Sequence, residues 1–98
     1  MPIEHTVVFR LVHEAGSDEE SAFLRAGRDT LTAIPGVTGF AVMRQVSPGS
    51  PFTHQFRMVF ADAAAYDAYN RHPAHVGFVE ERWVPEVADF QEFDFEPA

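Results

Sequence analysis

Residues 3–12 place the tightest constraint on what this chain can fold into. Ile3, His5, Val7, Phe9 and Leu11 fall on one side of a period-two repeat, and Thr6, Val8, Arg10 and Val12 on the other. That period belongs to a β-strand. Both sides carry apolar residues, so neither face of the sheet built on this strand can be left to water alone.

The period then changes. Ser17-Asp18-Glu19-Glu20 has the form of a capping box, with Ser17 as N-cap and Glu20 at the third helical position. The helix it opens carries Phe23, Leu24, Gly27, Leu31 and Ile34 on one stripe, and Pro35-Gly36 stops it. Val37 to Arg44 reads as a second strand, and Ser47-Pro48-Gly49-Ser50-Pro51 as a turn. His54, Phe56, Met58 and Phe60 mark the buried side of a third strand. Asp62 is suited to cap a helix running to about Tyr69. His72-Pro73 interrupts that helix, because proline disfavours helical geometry in the residue before it yet suits the first turn of a new helix. The second piece runs to about Trp83, Pro85 closes it, and Phe90 to Phe95 is the last strand.

The order βαββαβ over residues 1–98 predicts a single α+β domain, a ferredoxin-like antiparallel sheet with its helices on one face. The expected spatial order of strands is 4-1-3-2. The helix-free face would then expose Val8, Val12, Val59, Phe93 and Phe95 among Arg10, Gln55 and Arg57. A second copy's sheet would cover it, so a homodimer is expected.

Composition narrows the function classes. Fifteen acids stand against seven arginines and no lysine, a formal charge of −8, which repels phosphate backbones and anionic lipid. Nucleic-acid and membrane partners are therefore not expected. The absence of cysteine excludes disulfides and thiolate chemistry. The opening MPIEHTVVFRLVHE lacks the basic-then-apolar layout of a signal peptide, and a cytoplasmic location is expected. No phosphate-cradling glycine loop, nucleophilic serine arrangement or metal-ligand spacing occurs, so neither cofactor nor metal is expected.

Strand order 4-1-3-2 brings the start of the first strand, with His5, beside the end of the last, with Asp94, and brings Tyr69 and His75 within reach. His54 falls toward the opposite end. Glu92 shares the side of Asp94, and two carboxylates in an apolar layer require either a polar pocket or a solvated strand end. His72, before a proline at a helix start, reads as a cap.

Tyr69 and His72-Pro73-Ala74-His75-Val76-Gly77-Phe78 resemble the stress-responsive A/B barrel (Dabb) family, as do Glu4-His5-Thr6-Val7-Val8, Ala33-Ile34-Pro35-Gly36-Val37 and Phe93-Asp94-Phe95. The resemblance covers nearly the whole chain and implies a dimeric α+β barrel. Within the family, HPAHVGF is similar to the corresponding stretch of plant olivetolic acid cyclase, which closes a linear tetraketide by aldol condensation without a cofactor. The resemblance implies catalytic roles for His75 as general base, Asp94 as its orienting partner and Tyr69 as the group holding a substrate carbonyl. It implies ligand contacts from His5, His54, Phe23, Gly27, Val79 and Glu92. Gly27 stands where the cyclase has a pocket tyrosine and Glu92 where it has an aliphatic residue, so a pocket roomier near the first helix and more acidic near the last strand is expected, with close helix–sheet packing the alternative reading of Gly27. The implied function is a cofactor-independent cyclase- or lyase-like enzyme on a small carbonyl compound. The alternatives are a non-catalytic small-ligand-binding or structural dimer and, with no motif of its own, a cofactor-free monooxygenase on the same barrel.

Overall fold

Alternation in sequence becomes alternation in burial. Along the third strand His54, Phe56, Met58 and Phe60 are buried, while Gln55, Arg57 and Val59 between them are half-buried. In the computed structural model, which describes residues 1–98, the elements run β1 (Ile3–Leu11), α1 (Asp18–Thr32), β2 (Thr38–Arg44), β3 (His54–Phe60), α2 (Ala63–Arg71), α3 (Pro73–Phe78), a π-helical turn (Val79–Trp83), α4 (Val84–Glu86) and β4 (Val87–Phe95). The strands form one antiparallel sheet in the order β2-β3-β1-β4, the order expected for a ferredoxin-like α+β fold.

The helix starts follow local chemistry. The Ser17 hydroxyl accepts from the Glu20 amide at 3.2 Å, and the Glu20 carboxylate accepts in return from the amide of Gly16. Asp62 accepts from the Ala65 amide at 2.9 Å, and His72 Nδ1 from the Ala74 amide at 3.0 Å. Each satisfies a donor that the first helical turn leaves free. Helix α1 ends at Thr32, and the turn into β2 places Gly36 at φ +91°, a conformation that disfavours a side chain.

Two boundaries differ from expectation. The last helical region does not close at Trp83 but continues to Glu86, and β4 begins at Val87 rather than Phe90. The cause lies in the π-turn: Val84 donates its N–H to the carbonyl of Val79, five residues back. Pro85 follows immediately and would press its ring on a carbonyl one turn behind it in a regular helix. The widened turn makes room, so Pro85 sits inside the helix instead of ending it.

The core lies between the helices and one sheet face. Phe9, Phe23, Phe56, Phe60 and Met58 are its largest fully buried side chains. Phe56 is its centre, with ring centroids 4.8 Å from Phe9, 5.5 Å from Phe40 and 6.2 Å from Phe23. Glu86 ties the chain after β1 to the helix end: His13 Nε2 lies 2.8 Å from one carboxylate oxygen, Arg82 Nε is 2.7 Å from the other, and the Glu86 carbonyl accepts from the Val12 amide. On the opposite sheet face Phe93 and Phe95 are exposed, and Glu4 pairs with Arg57 at 2.6 Å. No helix is long and apolar enough to cross a membrane.

Candidate functional site

Strand register builds the first half of the site. His5 lies directly across from Asp94, Val7 from Glu92, and Phe9 from Phe90. Side chains opposite one another on adjacent strands stand within reach on the same face. The His5 ring is buried, and its Nδ1 lies 2.6 Å from Asp94 Oδ1. A carboxylate only accepts, so Nδ1 carries the proton and Nε2 is left with a lone pair. The Tyr66 hydroxyl donates to the same carboxylate at 3.0 and 3.1 Å and lies 2.9 Å from His5 Nδ1, which closes a three-membered network.

The break between α2 and α3 builds the second half. In an unbroken helix the Asn70 carbonyl would accept from the Ala74 amide, but that amide is taken by His72 Nδ1. His75 Nδ1 occupies the vacated carbonyl at 3.1 Å. A carbonyl also only accepts, so His75 too is protonated at Nδ1 and bare at Nε2. Its ring lies 4.5 Å from that of Tyr69. Burial holds the His75 pKa below the ordinary histidine value, reinforced by the nearby His5 and opposed by the Asn70 bond and Glu92. Burial, with Tyr66 and Glu92 nearby, raises the Tyr69 hydroxyl well above its ordinary range and keeps it a donor.

The two halves face one cavity of about 250 Å³. His5, Tyr69, His75 and Glu92 supply its polar groups, and Val79, Trp83 and Phe90 are among the apolar residues around them. Val79 and Trp83 are the first and last residues of the π-turn, a feature that often accompanies functional sites.

The expected pairing of Asp94 with His75 is not the one formed. Asp94 is spent on His5 and Tyr66, its neighbours across the strands and on α2, while His75 answers the Asn70 carbonyl that the Ala74 amide leaves free. Asp94 stands behind His5, outside the cavity wall. Three other expected wall residues also lie outside it. His54 is buried at the far end of the sheet, stacked on Phe9 at 5.8 Å with Nδ1 2.9 Å from the Thr53 hydroxyl; burial lowers its pKa. Phe23 is a core residue behind Phe78. Gly27 opens no space, because a β-carbon there would come within 2.6 Å of Phe56 Cζ. His72 is a helix cap, as its position implies.

Sequence reasoning missed Tyr66, Trp83 and Phe90. Tyr66 could have been found from its place three residues before Tyr69, on the same helix face, and Phe90 from its two-residue step to Glu92. No three His, Cys, Asp or Glu side chains come together to hold a metal ion.

The model of the stress-responsive A/B barrel domain matches residues 3–97. The chain belongs to this family. A Dabb family protein of ferredoxin-like fold from Mesorhizobium loti is 52% identical over 99% of this chain and 97% of its own, with a TM-score of 0.98. Fold alone relates this Dabb chain to two plant structures. One is At3g17210 from Arabidopsis thaliana, at 21% identity, 98% and 95% coverage and TM-score 0.83. The other is the hydroxynitrile lyase from Passiflora edulis, at 14% identity, 99% and 94% coverage and TM-score 0.85. No curated protein matches the chain.

Proposed function

We propose that this Dabb protein is a cofactor-independent acid–base enzyme of the lyase or cyclase kind, acting on a small carbonyl compound. The observation that carries the reading is the pair of histidines on one apolar cavity, each with Nδ1–H committed to an acceptor and Nε2 uncommitted. His75, kept neutral by burial, takes a proton from the carbon beside the substrate carbonyl. Negative charge then develops on the carbonyl oxygen, where the Tyr69 hydroxyl donates a hydrogen bond. His5, its ring held in place by Asp94 and Tyr66, returns or removes the second proton that making or breaking a carbon–carbon bond requires. Asp94 orients His5 in this scheme, and Val79 and Glu92 border the substrate. The Passiflora protein of the same fold is named a lyase, in keeping with this class of reaction.

The outer sheet face supports a homodimer. Phe93 and Phe95 are exposed together on one face of the sheet, and three of the similar folds are described as dimeric ferredoxin-like proteins. A Phe93→Glu variant should run as a monomer in light scattering where the wild type runs as a dimer.

The reaction is tested in D₂O with a panel of small ketones and β-hydroxy ketones, reading carbon-bound deuterium by NMR. Wild-type protein should exchange the proton beside the carbonyl, and Tyr69→Phe should lose roughly 10²–10³ of the rate. His75→Asn, which keeps an N–H for the Asn70 carbonyl, should lose ~10²–10⁴ of it while remaining folded. Exchange no faster than buffer across the panel refutes the reading. Unfolding of His75→Asn with retained exchange in the folded fraction would mark His75 as a docking residue.

A further inference from the structure

The cavity's polar inventory is one-sided. Glu92 presents a carboxylate, and His5 and His75 each present an Nε2 lone pair, while Tyr69 alone supplies a hydroxyl. No arginine lines the cavity, so no fixed positive charge there answers an anion. Around these acceptors stand the faces and edges of Trp83, Phe90 and Tyr69, with Trp83 and Phe90 in T-shaped contact at 5.6 Å. A carboxylate and aromatic rings lining one cavity suit an organic cation, through the charge of the first and the ring quadrupoles of the second.

We infer that the cavity selects a small molecule carrying a protonated amine on an apolar or aromatic body, with Glu92 as the counter-charge. This rests on the cavity being the substrate site proposed above. An ammonium group donates three hydrogen bonds and accepts none, which matches Glu92 and the two Nε2 atoms. A carboxylate placed beside Glu92 meets a like charge and no cationic side chain. Tyr69 remains for the carbonyl oxygen. The influence of Glu92 is felt across the site, since its charge opposes the lowering of the His75 pKa and adds to the raising of Tyr69. The chain's net charge of −8 adds a long-range attraction for cations. A cavity of about 250 Å³ suits a small ligand.

Three probes of one shape test this: 2-phenylethylammonium, 2-phenylethanol and 3-phenylpropanoate, titrated at pH 7.5 by calorimetry and followed by NMR shifts of the His5 and His75 ring protons. The ammonium should bind at least tenfold tighter than the alcohol, and the carboxylate weaker than either. In Glu92→Gln the ammonium-to-alcohol ratio should fall to near one. In Glu19→Gln, which removes an equal charge from the exposed start of α1, the ratio should stay. Alcohol or carboxylate binding as tightly as the ammonium overturns the inference while leaving the cavity as a substrate site, as does a ratio that survives Glu92→Gln. A ratio that falls equally in Glu19→Gln assigns the preference to overall charge and also overturns it. If none of the three shifts the His5 or His75 protons, the inference and the substrate-site reading fall together.

Discussion

Gly27→Ala separates a packing role from a space-making role at one position, because the two predict opposite signs. Were the glycine there to leave room, an added methyl would meet nothing, and alanine would gain about 1 kcal/mol in helix propensity over glycine. The structure instead puts the new β-carbon 2.6 Å from Phe56 Cζ and 2.8 Å from its Cε2. Carbon atoms are best separated by about 3.5–4 Å, so the ring must retreat by roughly 1 Å. Phe9, Phe40 and Phe23 surround Phe56, and its open side is the cavity it lines. Overpacking of this kind costs about 1–3 kcal/mol. After the propensity gain is subtracted, a net loss of about 0–2 kcal/mol remains, near 1 at the centre of the range. For a domain of this size that lowers Tm by roughly 4–8 °C per kcal/mol. The assay is urea and thermal denaturation followed by circular dichroism, at matched protomer concentration because dimerisation would add to stability. Phe56→Leu combined with Gly27→Ala should show a favourable coupling, since the shorter side chain removes the obstacle. A Gly27→Ala protein about 1 kcal/mol more stable than wild type would refute the close approach of α1 to the sheet.

Four further outcomes follow from the same contacts. In Tyr66→Phe the downfield His5 Nδ1–H resonance should persist, with about 0.5–1.5 kcal/mol lost in urea unfolding; in Asp94→Ala that resonance should move upfield, and its survival there unchanged would show that the carboxylate is not its acceptor. Glu86→Ala removes the group that His13 and Arg82 share and should speed amide exchange in the π-turn and at Val12, leaving the middle of β3 protected; uniform protection would refute the tie. Burial keeps His54 and His75 below the ordinary histidine pKa of about 6.5, so the unfolded chain binds those protons first. Stability should thus be full above that pH and fall as pH drops through it toward the folded values, with a shallower fall in His54→Gln; stability that rises on acidification from pH 7.5 to 5.5 would reverse the sign. By the same lowering, any His75-dependent turnover should keep its rate down to about pH 6.5 and lose it on an acid limb below, and a limb centred above pH 7 would exclude His75 as the base.

The parts of this molecule legible in sequence are those set by one repeating period. Alternation in Ile3 to Val12 and His54 to Phe60 marks strands, faces and core side chains together, because a one-residue error would turn every side chain over. Strand order then places His5 beside Asp94 and sends His54 to the other end of the sheet, as the structure has it. What escaped the sequence depends on hydrogen-bond competition across layers. Pairing Asp94 with His75 requires a reach from sheet to helix, whereas Asp94 with His5 requires only adjacent strands; the shorter reach wins, and the donor left over finds the Asn70 carbonyl, free because His72 caps the Ala74 amide. The π-turn escaped because Pro85 signals a helix end unless the preceding turn widens, and no period in the sequence marks that widening.

Gly27 carries the broader point. A small residue on the buried stripe of a helix invites the reading that a neighbour's missing bulk leaves a hole, but packed interiors seldom keep one. Here the space is taken by the ring facing it, and the cavity opens elsewhere, where the π-turn and the edge strand meet. Both boundaries are irregular for a physical reason: the turn is widened ahead of Pro85, and β4 has β1 as its only strand neighbour. The site therefore forms where regular packing gives out, and its wall there is made by Val79, Trp83 and Phe90, with Leu31 the one contribution of α1. Shortening Trp83 or Phe90 should enlarge the cavity and admit bulkier ligands, whereas enlarging position 27 should act on stability first and reach the cavity only through Phe56.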